Sequence, residues 1–201
     1  MRHPVVPMSK DALELRDTPT VVPGGNLEAY GHCLYATSLY ESAVTTQLEF
    51  FTVTGNNRIT NAVNNLPTPQ FFMVYGIHVD YGVHPDPFAW EDTWALQNGV
   101  GGVTLVGFPT FTFSYASKAY GPWPLRALHG TGALTGFGTA NNLNYANNYI
   151  PDGGFFQDGG LLLAPNQQFR ALIEWPQPVT LNRGHTQIQV TLSGTHYRKI
   201  T

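Results

Sequence analysis

The chain contains a single cysteine, Cys33. One thiol permits no internal disulfide, which excludes the small stapled modules typical of secreted proteins. Charge is scarce too. Asp, Glu, Lys and Arg make up 11 % of the residues, less than half of the roughly 25 % usual in soluble domains. The basic side chains are scattered without a run, which disfavours direct binding of nucleic acid through phosphate neutralisation. Apolar runs such as FFMVYGIHV fall far short of the roughly 20 residues that span a bilayer. The opening MRHPVVPMSKDALELRD has no continuous apolar stretch, so no signal peptide is expected. No GxSxG elbow occurs, which removes the α/β-hydrolase serine site. The Ala/Glu/Lys/Leu/Arg bias of a long helix or coiled coil is also missing.

Other features are abundant. Apolar residues at 42 % and aromatics at 13 % are enough for a core and argue against disorder. The 201 residues fit one domain, with or without an arm. Glycines (21) and prolines (15) spread along the chain suggest short strands joined by turns. With a net charge of only −3, polarity comes mainly from Asn, Thr, Ser and Gln. Amides and hydroxyls exchange water for partner hydrogen bonds more cheaply than ions do. Such a surface suits packing against copies of the chain or other proteins; the alternative is an ordinary β-domain with sparse charge.

Residues 1–45 lack strong periodicity and are expected to form an N-terminal arm, with KDALELR (10–16) as a short helical possibility. From 46 to 201 period-2 patterns recur and predict one sandwich domain. TQLEFFTVT (46–54), QFFMVYGIHVDYGV (70–83), GVTLVGF (102–108), TFTFSY (110–115), QQFRALIEW (167–175) and HTQIQVTLSGTHYRKI (185–200) read as strands. In the second, the odd positions Phe71 to Val83 are all apolar or aromatic. The even ones are small or polar, with Phe72 and Val74 as exceptions. Loops are expected at 56–69, 84–99 and 139–154, the second holding a short helix around 89–97. Uneven loops without βαβ alternation predict an all-β antiparallel sandwich of jelly-roll type with long loops.

Chemistry-bearing clusters are few. His78 and Asp80 lie two apart on a strand and share a face, so they can contribute to a divalent-ion site. A further histidine, His185 or His129, would complete a two-His-one-carboxylate triad, with Arg198 as an anion partner. This step resembles the 2-oxoglutarate-dependent non-haem iron oxygenases, with a different spacing to His185 and Arg198. The plainer reading is a polar sheet face with a histidine at a subunit contact. Trp90, Trp94, Trp123 and Trp175 raise a carbohydrate-binding reading, although sandwich cores and subunit contacts use tryptophan equally. Cys33, in the expected arm, reads as a buried or incidental thiol. GALTGFG (132–138) lacks the strand-then-helix context of a phosphate loop. Asp152 and Asp158 among glycines read as turn formers rather than calcium ligands. No catalytic residue and no cofactor are expected; His78, Asp80 and His185 stand as the candidate metal ligands.

The stretches LPTPQFFMVYGIHVDYG and LLLAPNQQFRALIEWPQPV…IQVTLSGTHYRKI carry a resemblance in organisation, over about residues 46–200, to the single jelly-roll capsid proteins of tailless icosahedral bacteriophages. The resemblance implies a structural, non-enzymatic subunit of a virion that assembles with copies of itself and with other virion proteins. The arm would strap neighbours or touch an underlying layer. With no basic excess in that arm, an internal membrane or another protein would lie between shell and genome. A receptor-binding sandwich of a phage spike is the alternative within the same class.

Overall fold

A computed structural model describes residues 27–52, 61, 64–81, 95–96, 107–128, 134–135, 138–139, 142–143, 146–147, 160–182 and 184–199. The fold is all-β: two antiparallel four-stranded sheets pack face to face. Sheet A holds, in spatial order, β1 (Leu27–Glu41), β12 (His185–Lys199), β3 (Phe71–Tyr81) and β10 (Leu161–Leu163). Sheet B holds β2 (Gln47–Phe50), β11 (Phe169–Glu174), β4 (Thr110–Tyr115) and β5 (Lys118–Pro124). Two-residue strands β6 (Leu134–Thr135), β7 (Gly138–Thr139), β8 (Asn142–Leu143) and β9 (Ala146–Asn147) form small separate pairs, β6 with β9 and β7 with β8. Counted along the chain, the eight strands of the two sheets pair from the outside inward. The first pairs with the last, the second with the seventh, the third with the sixth and the fourth with the fifth.

Alternation explains the core. Sheet B presents Leu48, Phe50, Phe111, Phe113, Phe169, Ala171 and Ile173 inward, and sheet A presents Leu34, Ala36, Tyr40, Ile77, Val79, Ile188, Val190 and Leu192. Burying a Phe side chain contributes about 1.5–3 kcal/mol. The exposed Glu49–Arg170 pair at 3.7 Å is worth at most about 1 kcal/mol. Apolar contact between the sheets, not surface charge, therefore holds them together.

The segment expected as an arm is corrected in part. Residues 27–41 are β1, paired with β12 along its whole length; residues 1–26 lie outside the described residues. Tyr40 fixes the end of β1. Its hydroxyl accepts from the Val179 amide at 2.6 Å and donates to the Val179 carbonyl at 3.3 Å, while its ring meets Trp175 edge-on at 4.8 Å. Burial raises the Tyr40 phenol above its ordinary range, the Val179 bond opposing this. The free edge of β1 is partly closed by Asn61. Its backbone amide donates to the Tyr35 carbonyl, its Oδ1 accepts from the Tyr35 amide, and its Nδ2 donates to the Cys33 carbonyl. Occupying edge groups in this way removes a template for unwanted strand pairing. At the far edge of sheet B, β5 carries Pro122 and Pro124, which cannot donate to a further strand. Of the expected 102–108 strand, Gly107 and Phe108 are described and are not extended into a ladder; the rest lies outside the described residues.

The single-face reading of 71–83 is also corrected. Opposite β12, Gly76 pairs with Ser193 but Val74 pairs with Gly194, so Tyr75 is an extra residue and the strand bulges. On one side of the bulge Ile77 and Val79 point into the core. On the other side Phe72 and Val74 do so, and Met73 packs with Tyr197 in a second small cluster that also touches Phe71 and Leu162. The two apparent exceptions to the alternation are thus the mark of the bulge. Gly194 makes it possible: a Cβ there would collide with the Met73 carbonyl. The expected result of Gly194→Ala is a loss above about 4 kcal/mol, in the class reserved for gross steric disruption. Denaturant titration of the soluble fraction measures this, and a loss below about 1 kcal/mol contradicts the bulge geometry.

Candidate functional site

The outer face of sheet A gathers the polar residues that the sequence singles out. Past the bulge, His78 and Asp80 project outward from β3, and register places them opposite Thr191 and Gln189 of β12. Gln189 in turn lies opposite Thr37 of β1. His78 Nε2 lies 3.2 Å from Ser193 Oγ, and that hydroxyl donates to the Gly76 carbonyl at 3.4 Å. Thr37 Oγ1 donates to Gln189 Oε1 at 3.4 Å, and Gln189 Nε2 donates to Thr191 Oγ1 at 3.1 Å. A Cβ on Gly76 would sit 2.7 Å from Ser193 Oγ and 3.1 Å from His78 Nε2, so the missing side chain gives these two groups room to meet. The result is a three-strand lattice of hydroxyls and amides that offers both donors and acceptors.

Asp80 is the carboxylate of this face. Burial raises its pKa above the usual carboxylate range, and the neighbouring His78 pulls it partway back. The Tyr81 phenol, packed against the core, is raised by burial and then by Asp80, and its hydroxyl has no partner. Gln187 Oε1 is likewise buried without a partner. Leu39, 39 % exposed on β1, stands beside Gln187 in register, and Tyr75 is 46 % exposed at the bulge. Exposed apolar groups thus border the polar lattice.

Among the described residues the expected metal triad is not assembled. His185 is exposed at the start of β12, opposite Glu41. It lies four residues from Gln189, about 13 Å along a strand rising ~3.3 Å per residue. Arg198 sits at the far end of β12, its guanidinium over the Tyr30 ring at 5.2 Å. His84 and His129 lie outside the described residues. Among the described residues no three His, Cys, Asp or Glu side chains are grouped to hold a metal. His185 therefore does not complete a facial triad with His78 and Asp80.

The tryptophans do not form an exposed platform among the described residues. Trp175 is buried in the core with its indole nitrogen donating to the Leu96 carbonyl at 2.9 Å. Trp123 is half-buried, its ring parallel to Phe111 at 6.3 Å; Trp90 and Trp94 lie outside the described residues, as do Asp152, Asp158 and most of 132–138. Cys33 is exposed on β1. A shallow polar groove of about 500 Å³ opens at the β4–β5 turn between Asn64, Ser114, Lys118, Gln168 and Arg170. Among the described residues no helix is long and apolar enough to cross a membrane.

The Asp80 environment sets a pH test. A carboxyl whose folded pKa is raised costs stability when ionised, so its penalty is full near neutral pH. The penalty fades as pH falls through that raised value. Asp80→Asn is expected to stabilise the chain near pH 7, with a gain that vanishes below about pH 4. Urea titrations of both chains at the two pH values measure it. A destabilised variant at neutral pH would show instead that the ionised carboxylate is a structural partner.

No protein-family model matches this chain, and no curated protein matches it.

Proposed function

We propose that the chain is a structural subunit of a viral shell, a jelly-roll capsid protein whose sheet faces are covered by neighbouring copies. The observation that carries the reading is the nested pairing of the eight strands, first with last and inward to the fourth with the fifth. A jelly roll is built by folding one long hairpin of strands into two sheets, and this order supports that plan. Fold alone does not assign function; the surface supplies the second support. The outer face of sheet A is a lattice of Thr37, Gln189, Thr191 and Ser193 with one carboxylate. Its groups are cheaper to desolvate than a charged face. The exposed Leu39 and Tyr75 fit a surface completed by another protein.

Assembly then follows from mass action. Several modest contacts per copy, closed by symmetry, make the whole far more stable than any one contact. Other virion proteins or an internal membrane layer fit as further partners, since the scattered basic residues offer little for condensing nucleic acid. Among the described residues the iron-oxygenase reading has no third ligand beside His78 and Asp80, and Trp175 belongs to the core rather than to a sugar-binding face.

Sedimentation velocity of the purified full chain tests the proposal. Species far larger than the 22.1 kDa monomer are expected, formed reversibly as concentration rises. Leu39→Lys leaves the exposed position of the monomer tolerable but buries a charge in the contact. It is expected to weaken assembly at least tenfold while leaving the melting temperature of the dissociated chain unchanged. A wild-type chain that stays monomeric at its highest soluble concentration would contradict the reading.

A further inference from the structure

At the opposite end of sheet A from Asp80, the first strand and the last meet in a cluster of rings. Tyr30 and His32 lie two apart on β1 and share a side. His196 of β12 is opposite Tyr30 in register, and Phe72 of β3 is opposite His196. The two imidazoles stack, 5.7 Å apart and tilted by 20°, and the Phe72 ring meets His196 edge-on at 6.1 Å. His32 is exposed, whereas His196 is 7 % exposed. Arg198, two residues further along β12, holds its guanidinium over the Tyr30 ring at 5.2 Å.

The surroundings of His196 suit a neutral ring. Nδ1 lies 2.7 Å from the Tyr30 hydroxyl, while Nε2 is buried and has no partner. A neutral imidazole leaves one uncharged atom unmet at that place. A protonated one leaves a charged N–H donor buried without an acceptor, which costs far more. The neighbouring charges act in the same direction. His32 of β1 and Arg198 of the same strand are the charged groups that bear on the ring, and both oppose a proton there; β3 contributes the uncharged Phe72. Glu28 of β1 stands opposite Arg198 in register, two positions beyond Tyr30.

The ladder also has a place at which to part. Asn61 holds the free edge of β1 at Cys33 and Tyr35, and Leu34 and Ala36 are anchored in the core. Residues 27–32 lie before these anchors. β12 is held independently by β3 through Gly194–Tyr197, so the start of β1 can leave it without dissolving the sheet. We propose that the stacked pair is an acid-sensitive latch: a proton taken up by His196 frees residues 27–32 of β1 from β12, while the remainder of β1 stays paired. Burial, then His32, then Arg198 hold the His196 pKa below its ordinary value. A ring released into water takes up its proton at about pH 6.5. The closed form therefore keeps its full stability above that pH and loses it progressively below, until the closed ring is itself protonated. The inference does not depend on the shell reading.

Amide hydrogen exchange of the full chain tests it, at about pH 7.5 and about pH 5.5, on either side of the free imidazole value. With rates corrected for intrinsic exchange, residues 28–32 are expected to exchange faster than 36–40 at both, the mark of separate local opening. Their protection is expected to fall at least about threefold in acid. His196→Asn keeps a polar partner for Tyr30 and takes up no proton; it is expected to give 28–32 equal protection at both pH values. His32→Gln, at an exposed position that does not threaten folding, is expected to shrink the acid loss. His78→Asn and His185→Asn are expected to leave it whole. Three results overturn the proposal: wild-type protection of 28–32 indifferent to pH, exchange of 28–32 only together with 36–40, or an acid loss retained in full by the variants at both 196 and 32.

Discussion

The antiparallel pairing of β12 with β1 on one side and β3 on the other is the constraint on which the rest of the molecule depends. β12 is the last strand of the chain, yet it lies in the interior of sheet A and joins two strands from its first half. Without it, β1 has no sheet to belong to and β3 keeps only the three-residue β10. The inner face of β12, Ile188, Val190 and Leu192, is also the apolar surface on which the aromatic face of sheet B rests. Topology, core and surface lattice thus share one element. Closing such long-range contacts costs loop entropy before it returns any stability, so the sheet is expected to be cooperative.

The bulge at Tyr75 divides that element into two environments. On the Asp80 side the outward residues of β3 and β12 are hydroxyls, amides, the two imidazoles of His78 and His185, and one carboxylate. On the other side, because β3 has changed faces, Met73 and Tyr197 form an apolar cluster outside while Phe72 and His196 meet inside. One extra residue in one strand therefore separates a polar face from an aromatic and apolar one. Gly76 and Gly194 flank the shift for different reasons: the first admits two side chains, the second admits a neighbouring carbonyl.

Much of this was legible in the sequence. Strong apolar contrast marked β3, β4, β11 and β12, and the HxD spacing placed His78 and Asp80 on one face. β1 was hidden because Ala36, Ser38 and Thr37 are small on both faces, leaving a period of two without hydrophobic contrast. β5 was hidden by Gly121, Pro122 and Pro124, which read as breakers but are tolerated on a sheet edge. The Tyr30–His196 contact was invisible for another reason. Tyr30 and His196 are separated by 166 positions, and only the register of β1 against β12 brings them together. The misfit of Phe72 and Val74 was the available signal for the bulge, and read as a change of face rather than as noise it would have located it.

The proposed shell role draws on the same geometry, two packed sheets with an outer face poor in charge. Its most direct test is amide hydrogen exchange of the full chain, resolved along the sequence. If β12 closes sheet A, the amides of 186–192 should be among the slowest to exchange, together with those of 34–40 and 77–79, opening in one cooperative event despite lying near the end of the chain. Exchange of 186–192 at the rate of an unpaired segment, with β3 and β11 still protected, would contradict the pairing and with it the proposed architecture.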